Sequence, residues 1–256
     1  MLQAHRSSNV TFLKAPILEK ISGVVHGFST RREGSPDPVG VGGNSRAEDE
    51  RDGFMAALGL AGWPVGRLHQ VHSNLAHHVD DNEFANESPE GDAAYTGLAG
   101  IVLEVRTADC VPILIADCRA RVVAMAHAGW RGTSEGVVRK VVDSMVSEFG
   151  VSTGDLAVVM GPHIGVCCME VGEEVFDWFA DPEIFERKPE WEKPHLNLAE
   201  ANRRQLLEAG VGSHMIQASA LCTCCRPGMF HSYRRDGADA GRMYAVIGIQ
   251  PSIGHE

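Results

Sequence analysis

The sequence predicts an α+β fold, a single domain of mixed β-sheets flanked by helices. Three observations carry this. Short apolar runs rich in β-branched or small residues interleave with amphipathic stretches along all 256 residues. No internal repeat and no low-complexity linker divides them, so one core serves the chain. Hydrophobic residues make up 44% and charged residues 22%, ordinary for a chain of this length with a substantial core. The expected organisation is a partly disordered lead over residues 1–22, then one domain over residues 23–256.

The elements follow in order. Residues 1–9 lack a pattern and read as the disordered part of the lead. Residues 24–29 form a strand, followed by a loop from Thr30 to Asn44 too rich in glycine and proline for regular structure. Residues 47–58 read as a helix and residues 69–79 as a strand with four histidines, His69, His72, His77 and His78. Residues 92–96 are a polar turn region. Two apolar runs, 101–105 and 121–126, are strands, and each leads into reactive or turn-forming residues. Pro112 marks an edge, a bulge or a strand start. Residues 133–149 are helical, with Val137, Val141, Val142, Met145 and Val146 as an apolar stripe. A strand at 156–160, helices at 172–179 and 197–209, and strands at 215–220 and 243–250 complete the chain.

Composition excludes some classes of function. A net charge of −11 argues against general nucleic-acid binding. No segment is apolar over the length of a membrane span. The N-terminal residues lack the apolar centre of a signal peptide, which makes the cytoplasm the expected location. Seven cysteines then read as free thiols or ligands. Cys222, Cys224 and Cys225 crowd one short stretch, with no spaced cysteine pair elsewhere to complete a metal site. Cys167 and Cys168 are adjacent and read as buried thiols. A second structural metal is therefore not expected.

The chemistry concentrates at the strand ends. Cys110 ends the stretch Thr107-Ala108-Asp109-Cys110, and His127 opens His127-Ala128-Gly129-Trp130-Arg131-Gly132. His69 and His72, upstream, would point to opposite faces of a strand, so only one can join them. One cysteine and two histidines can hold zinc with one position open. They can equally form a thiolate–imidazole pair. Arg31, opening the glycine-rich loop, could meet an anion, although a solvated surface loop is the simpler reading. Arg131, beside a helix N-terminus, is a second anion candidate.

Six motifs in one order extend these observations: His26-Gly27-Phe28-Ser29-Thr30-Arg31, Gln70-Val71-His72, Thr107-Ala108-Asp109-Cys110, His127-Ala128-Gly129-Trp130-Arg131-Gly132, Gly161-Pro162 with Ile164-Gly165, and Ser232-Tyr233-Arg234-Arg235-Asp236-Gly237. Together they resemble the laccase-domain family, also called multicopper polyphenol oxidase-like proteins or peptidoglycan editing factors. Its members are described as purine nucleoside phosphorylases with adenosine deaminase activity. The resemblance runs from about Gly23 to Ile249 and implies a laccase-like domain. It also implies a zinc site of His72, Cys110 and His127, choosing His72 over His69, and substrate contacts from Arg31, Asn44 and Arg131. The sequence departs from the family at His163, where cysteine is usual, and in the short loop after Arg31.

The resemblance implies a zinc-dependent enzyme acting on purine nucleosides and phosphate. Copper-dependent phenol oxidation is the alternative, since copper takes the same ligands, but only one convincing ligand set is legible. A cysteine hydrolase acting on a cell-wall precursor amide, with Cys110 as nucleophile and His127 as base, uses the same residues without metal.

Overall fold

In a computed structural model describing residues 1–7, 9–31, 43–81, 84, 88–119 and 121–251, most strands form two six-stranded mixed sheets. The first has the order β1 (Gln3–Ser7), β2 (Val10–Lys14), β3 (Val24–Ser29), β14 (Met243–Ile249), β7 (Val102–Thr107), β4 (Val65–Arg67). The second has the order β13 (Ile216–Ala218), β10 (Leu156–Met160), β8 (Val111–Asp117), β9 (Val123–Ala128), β6 (Ala93–Thr96), β5 (Ala76–His78). A two-stranded ribbon, β11 (Phe185–Glu186) with β12 (His195–Leu196), pairs separately from both.

The alternation of side chains along buried strands builds the layers. On β8, Ile113 and Ile115 pack outward with helix α4 (Val137–Phe149), while Leu114 and Ala116 pack inward. Ala124 and Ala126 of β9 face outward, and Val123 and Met125 inward. The inward set meets Leu103, Val105, Ala245 and Ile247 from the first sheet. The far face of that sheet, through Val25, Val102, Tyr244 and Val246, packs on Phe54 and Met55 of helix α2 (Gly43–Ala57). The layers therefore run helix, sheet, sheet, helix. Mixed sheets flanked by helices in one domain match the expectation. Among the described residues, no helix is long and apolar enough to cross a membrane.

Four further helices lie among the described residues. Pro16 opens the short α1 (Pro16–Glu19), and Asn197 caps α5 (Leu198–Glu208) by accepting from the Glu200 amide. Two others, α3 (Trp130–Ser134) and α6 (Tyr233–Asp236), border the cleft described below. The helix expected over 133–149 is broken between α3 and α4, where Gly136 takes φ 79°.

Other expectations need correction. The N-terminal lead is not disordered where described, because β1 and β2 pair over five residues and extend the first sheet. The hairpin's backbone bonds hold this edge, and Phe12 and Leu13 of β2 anchor it in the core. The expected strand over 69–79 is reduced to Ala76–His78, and His72 lies in a turn. The polar turn at 92–96 is instead Asp92 followed by β6. The helix expected over 172–179 is a 3₁₀ helix, Glu173–Trp178. Pro112 sits at the second position of β8, consistent with a strand start.

His26, on β3, is buried and accepts a hydrogen bond from the Ala15 amide at Nε2, 2.9 Å away. Burial, then Lys14 and His5, lowers its pKa from 6.5 to about 3. The folded state thus resists protonation while the unfolded chain accepts a proton below pH 6.5. Stability from this group is present above pH 6.5 and is lost as pH falls toward 3. Denaturant titrations of His26→Gln should show a shallower acid dependence, by up to about 1.4 kcal/mol per pH unit in that window.

Candidate active site

Three segments meet at one end of the space between the sheets. The first is the turn from β7 to β8, which crosses from one sheet to the other through Ala108, Asp109 and Cys110. The second is the end of β9, where the antiparallel register sets Pro112 beside His127 and Val111 beside Ala128. The third is the loop at residues 70–74. Together they bring the ligand atoms of His72, Cys110 and His127 within 4.8 Å of one another. His72 is exposed, Cys110 half-buried and His127 buried. The two imidazole centroids lie 4.8 Å apart.

Asp92 organises this cluster from beneath. Its Oδ1 accepts from His127 Nδ1 at 2.7 Å, leaving Nε2 of the ring for the cleft. Its Oδ2 accepts from the Ser73 amide at 2.6 Å, Ser73 Oγ at 2.8 Å and the Val71 amide at 3.2 Å. One fully buried carboxylate therefore fixes the His127 ring and the turn presenting His72. Burial alone would raise its pKa, but His127 and Ser73 outweigh that and hold it well below the usual carboxylate range.

Charge coupling extends to the thiol. Burial opposes ionisation of Cys110, yet His127 and His72 lower its pKa to about 6. Burial opposes protonation of His127, yet Cys110 and Asp92 raise its pKa to about 9. Between those values the metal-free pair is a thiolate and an imidazolium. A thiolate with two imidazoles is also the donor set of a three-ligand zinc site. The backbone beneath fits such a site: a Cβ on Gly129 would lie 2.6 Å from His72 Nδ1 and 3.1 Å from Cys110 Sγ. Because Gly129 has φ −76°, any residue could adopt its backbone, so the glycine answers to space alone.

Asp109 anchors the wall opposite. It takes φ 94° and accepts from Thr223 Oγ1 at 2.6 Å, the Arg234 amide at 2.7 Å and Ser232 Oγ at 3.0 Å. This docks the loop carrying Tyr233 and Arg234 against the β7–β8 turn. The resulting cleft has a volume of about 700 Å³. Arg106, Arg234 and Arg242 line it, with Trp130, Tyr233, Ile164 and Met169 as apolar surface. Arg106 is the one exposed position of β7.

The structure thus unites His72, Cys110 and His127, but does not place the expected anion-binding arginines in the cleft lining. Arg131 is exposed and its guanidinium stacks 4.2 Å from the Trp130 ring centroid. Arg31 donates its amide to Met229 O at 2.7 Å and its guanidinium to Pro227 O at 3.3 Å. Asn44 falls in the first turn of α2, where side chains lie outside the described residues, and residues 32–42, where a loop is expected, also lie outside them. The roles of Asp92 and Arg106 escaped the sequence reading. An aspartate just before the small apolar run 93–95 was the available signal for the first. The cysteine expectation also changes: Cys167 is exposed and Cys168 half-buried rather than buried, and they meet Cys222 and Cys225 in space, which supplies the partner pair that linear spacing hides.

Residues 26–250 match the family described as multi-copper polyphenol oxidoreductase laccase. The chain belongs to this laccase-domain family. It is 38% identical over 246 residues to a Deinococcus radiodurans protein named purine nucleoside phosphorylase, covering 93% of this chain and 92% of that one. It is 40% identical over 174 residues to adenosine deaminase RL5 from an unknown prokaryotic organism, covering 66% and 65%. Among solved structures, YlmD from Geobacillus stearothermophilus superposes with TM-score 0.83 at 31% identity, covering 97% of this laccase-domain chain and 99% of that one. The Bacillus licheniformis protein YfiH gives 0.84 at 28% identity, with 96% and 99% covered.

Two substitutions test the construction. Gly129→Ala should leave the fold intact, because its backbone suits alanine, but push His72 off the cluster and weaken zinc binding measured by calorimetry. Asp92→Asn should cost about 10–100-fold in zinc affinity by loosening the His127 ring and the His72 turn. Unchanged affinity in both variants would contradict the assignment of the three ligands.

Proposed function

We propose that this chain is a zinc-dependent purine nucleoside phosphorylase that also deaminates adenosine. The convergence of His72, Cys110 and His127 at a cleft lined by three arginines carries the reading. The names of the relatives support it. Zinc held by these three residues would act as a Lewis acid and acidify water at its open position to a pKa of about 7.

The chain's own residues supply the rest. Cys110 offers a thiolate at neutral pH because His127 and His72 favour that form. His127 presents Nε2 because Asp92 occupies Nδ1. Arg106, Arg234 and Arg242 form a positive wall suited to phosphate, a bound anion that phosphorolysis needs and deamination does not. Trp130, Tyr233, Ile164 and Met169 offer surface for a flat purine. In phosphorolysis, phosphate attacks the sugar C1′ as the bond to the purine nitrogen breaks, giving ribose 1-phosphate and base. In deamination, water adds at C6 of adenine and ammonia leaves, giving inosine.

The thiolate–imidazolium pair favours a second reading, a metal-free cysteine hydrolase with Cys110 as nucleophile. A covalent adduct trapped on Cys110 would support that reading. Copper at the same ligands, for phenol oxidation, would show as bound copper after purification without added metal.

Incubation with adenosine, with and without phosphate, followed by chromatography for adenine, ribose 1-phosphate and inosine, tests the proposal. Cys110→Ala should abolish both activities and remove most zinc from the site while the fold persists, because a thiolate ligand is lost. Arg106→Ala should lower phosphorolysis about tenfold or more and spare deamination, reflecting loss of a charge-assisted contact. Equal loss of both would assign Arg106 to the nucleoside, with Arg234, Arg131 and Arg31 the next candidates for phosphate. Wild-type turnover by zinc-free Cys110→Ala would reject the metal mechanism.

A further inference from the structure

A second sulfur cluster lies behind the cleft wall. Cys167 and Cys168 follow the loop after β10, and Cys222 and Cys225 form a C-x2-C turn after β13. Their four Sγ atoms all lie within 4.8 Å of one another. Cys168 and Cys225 are 3.3 Å apart, and Cys167 and Cys225 3.6 Å. Zinc–thiolate bonds of about 2.3 Å in a tetrahedron place sulfurs about 3.8 Å apart, so small side-chain rotations would complete the shape. A multi-iron cluster would hold its cysteines farther apart, with several metal ions between them.

Two further features prepare the site. The Gly165 amide donates to Cys222 Sγ at 3.2 Å, a bond that favours a thiolate. A Cβ on Gly165 would lie 3.2 Å from both Cys167 Sγ and Cys222 Cβ, so the loop packs directly on the cluster.

We propose that Cys167, Cys168, Cys222 and Cys225 form a closed four-thiolate site for one zinc ion, separate from the His72–Cys110–His127 site. With four protein ligands it has no position for water or substrate, so its role is structural. It would clamp the loop that delivers Ile164 and Met169 to the cleft against the turn whose Thr223 holds Asp109. Arg235 Nη1 donates to Thr223 O at 3.0 Å and Cys224 O at 3.1 Å, so the same turn also supports the Tyr233–Arg234 wall.

Cobalt(II) separates this site from the other. The full chain carrying Cys110→Ala, purified under reducing conditions, is titrated with cobalt and read by absorption and metal analysis. The expected result is one tightly held ion per chain, with the intense sulfur-to-cobalt charge transfer and visible bands of a tetrahedral tetrathiolate. Adding Cys225→Ser, an exposed position, should weaken and shift those bands, and adding Cys168→Ser as well should remove them. Wild-type protein with zinc should lose one equivalent in Cys168→Ser/Cys225→Ser and melt several degrees lower. A folded Cys110→Ala chain that binds no cobalt would overturn the proposal. So would bands that survive both serine substitutions, or a Cys168–Cys225 disulfide found by peptide mapping of the reduced preparation. None of these outcomes depends on nucleoside turnover.

Discussion

The buried carboxylate of Asp92 is the constraint on which the candidate site depends. A carboxylate without accessible surface is tolerated only with full compensation, and here every donor comes from the site itself. One oxygen fixes the His127 ring at the end of a core strand. The other gathers the amides and hydroxyl of the turn that presents His72. Neither histidine can shift far without unpairing that charge. The fold thereby transfers the rigidity of the β6–β9 pair to a loop residue that would otherwise be mobile.

Backbone strain concentrates in the same place. Among the described residues, three non-glycine positions take positive φ, and two are His72 (62°) and Asp109 (94°). Such conformations cost about 1–3 kcal/mol each and persist where surrounding contacts over-determine them. For His72 those contacts are the bonds to Asp92. For Asp109 they are the donors Thr223, Ser232 and Arg234, which also bring the C-terminal wall over the cleft. Cys110 follows Asp109 directly and meets both His72 and His127. Its thiol faces His127 and His72 because the turn before it is bent by Asp109.

The two clusters of potential metal ligands differ in kind. The three-donor cluster opens onto a cleft with arginines and aromatic rings, an arrangement suited to chemistry. With zinc bound, the four-sulfur cluster would leave no ligand position open, and it lies where two loops distant in sequence meet. Its placement next to Thr223 would then tie that bracing to the Asp109 wall.

The sequence by itself determined the fold class and much of the core. Strands such as 24–29 and 156–160 were legible because buried strands need continuous apolar runs, and α4 because its valines repeat at helical spacing. Cys110 and His127 were legible as strand-end residues, and His72 through the family resemblance. What escaped was set by contacts distant in sequence. The β1–β2 hairpin joins the first sheet through pairing of β2 with β3 and burial of Phe12 and Leu13. Asp92 pairs with His127 across 35 residues, and Asp109 with Ser232 across 123. Cys168 meets Cys225 across 57, so adjacent cysteines that look unable to surround an ion become half of a ligand set. Arg106 faces the cleft because β7 is a core strand with one open position, whereas Arg131, in a sequence position equally inviting to an anion, turns back onto Trp130. Local pattern specifies which residues are buried; only the crossing of chain segments decides which polar groups face one another.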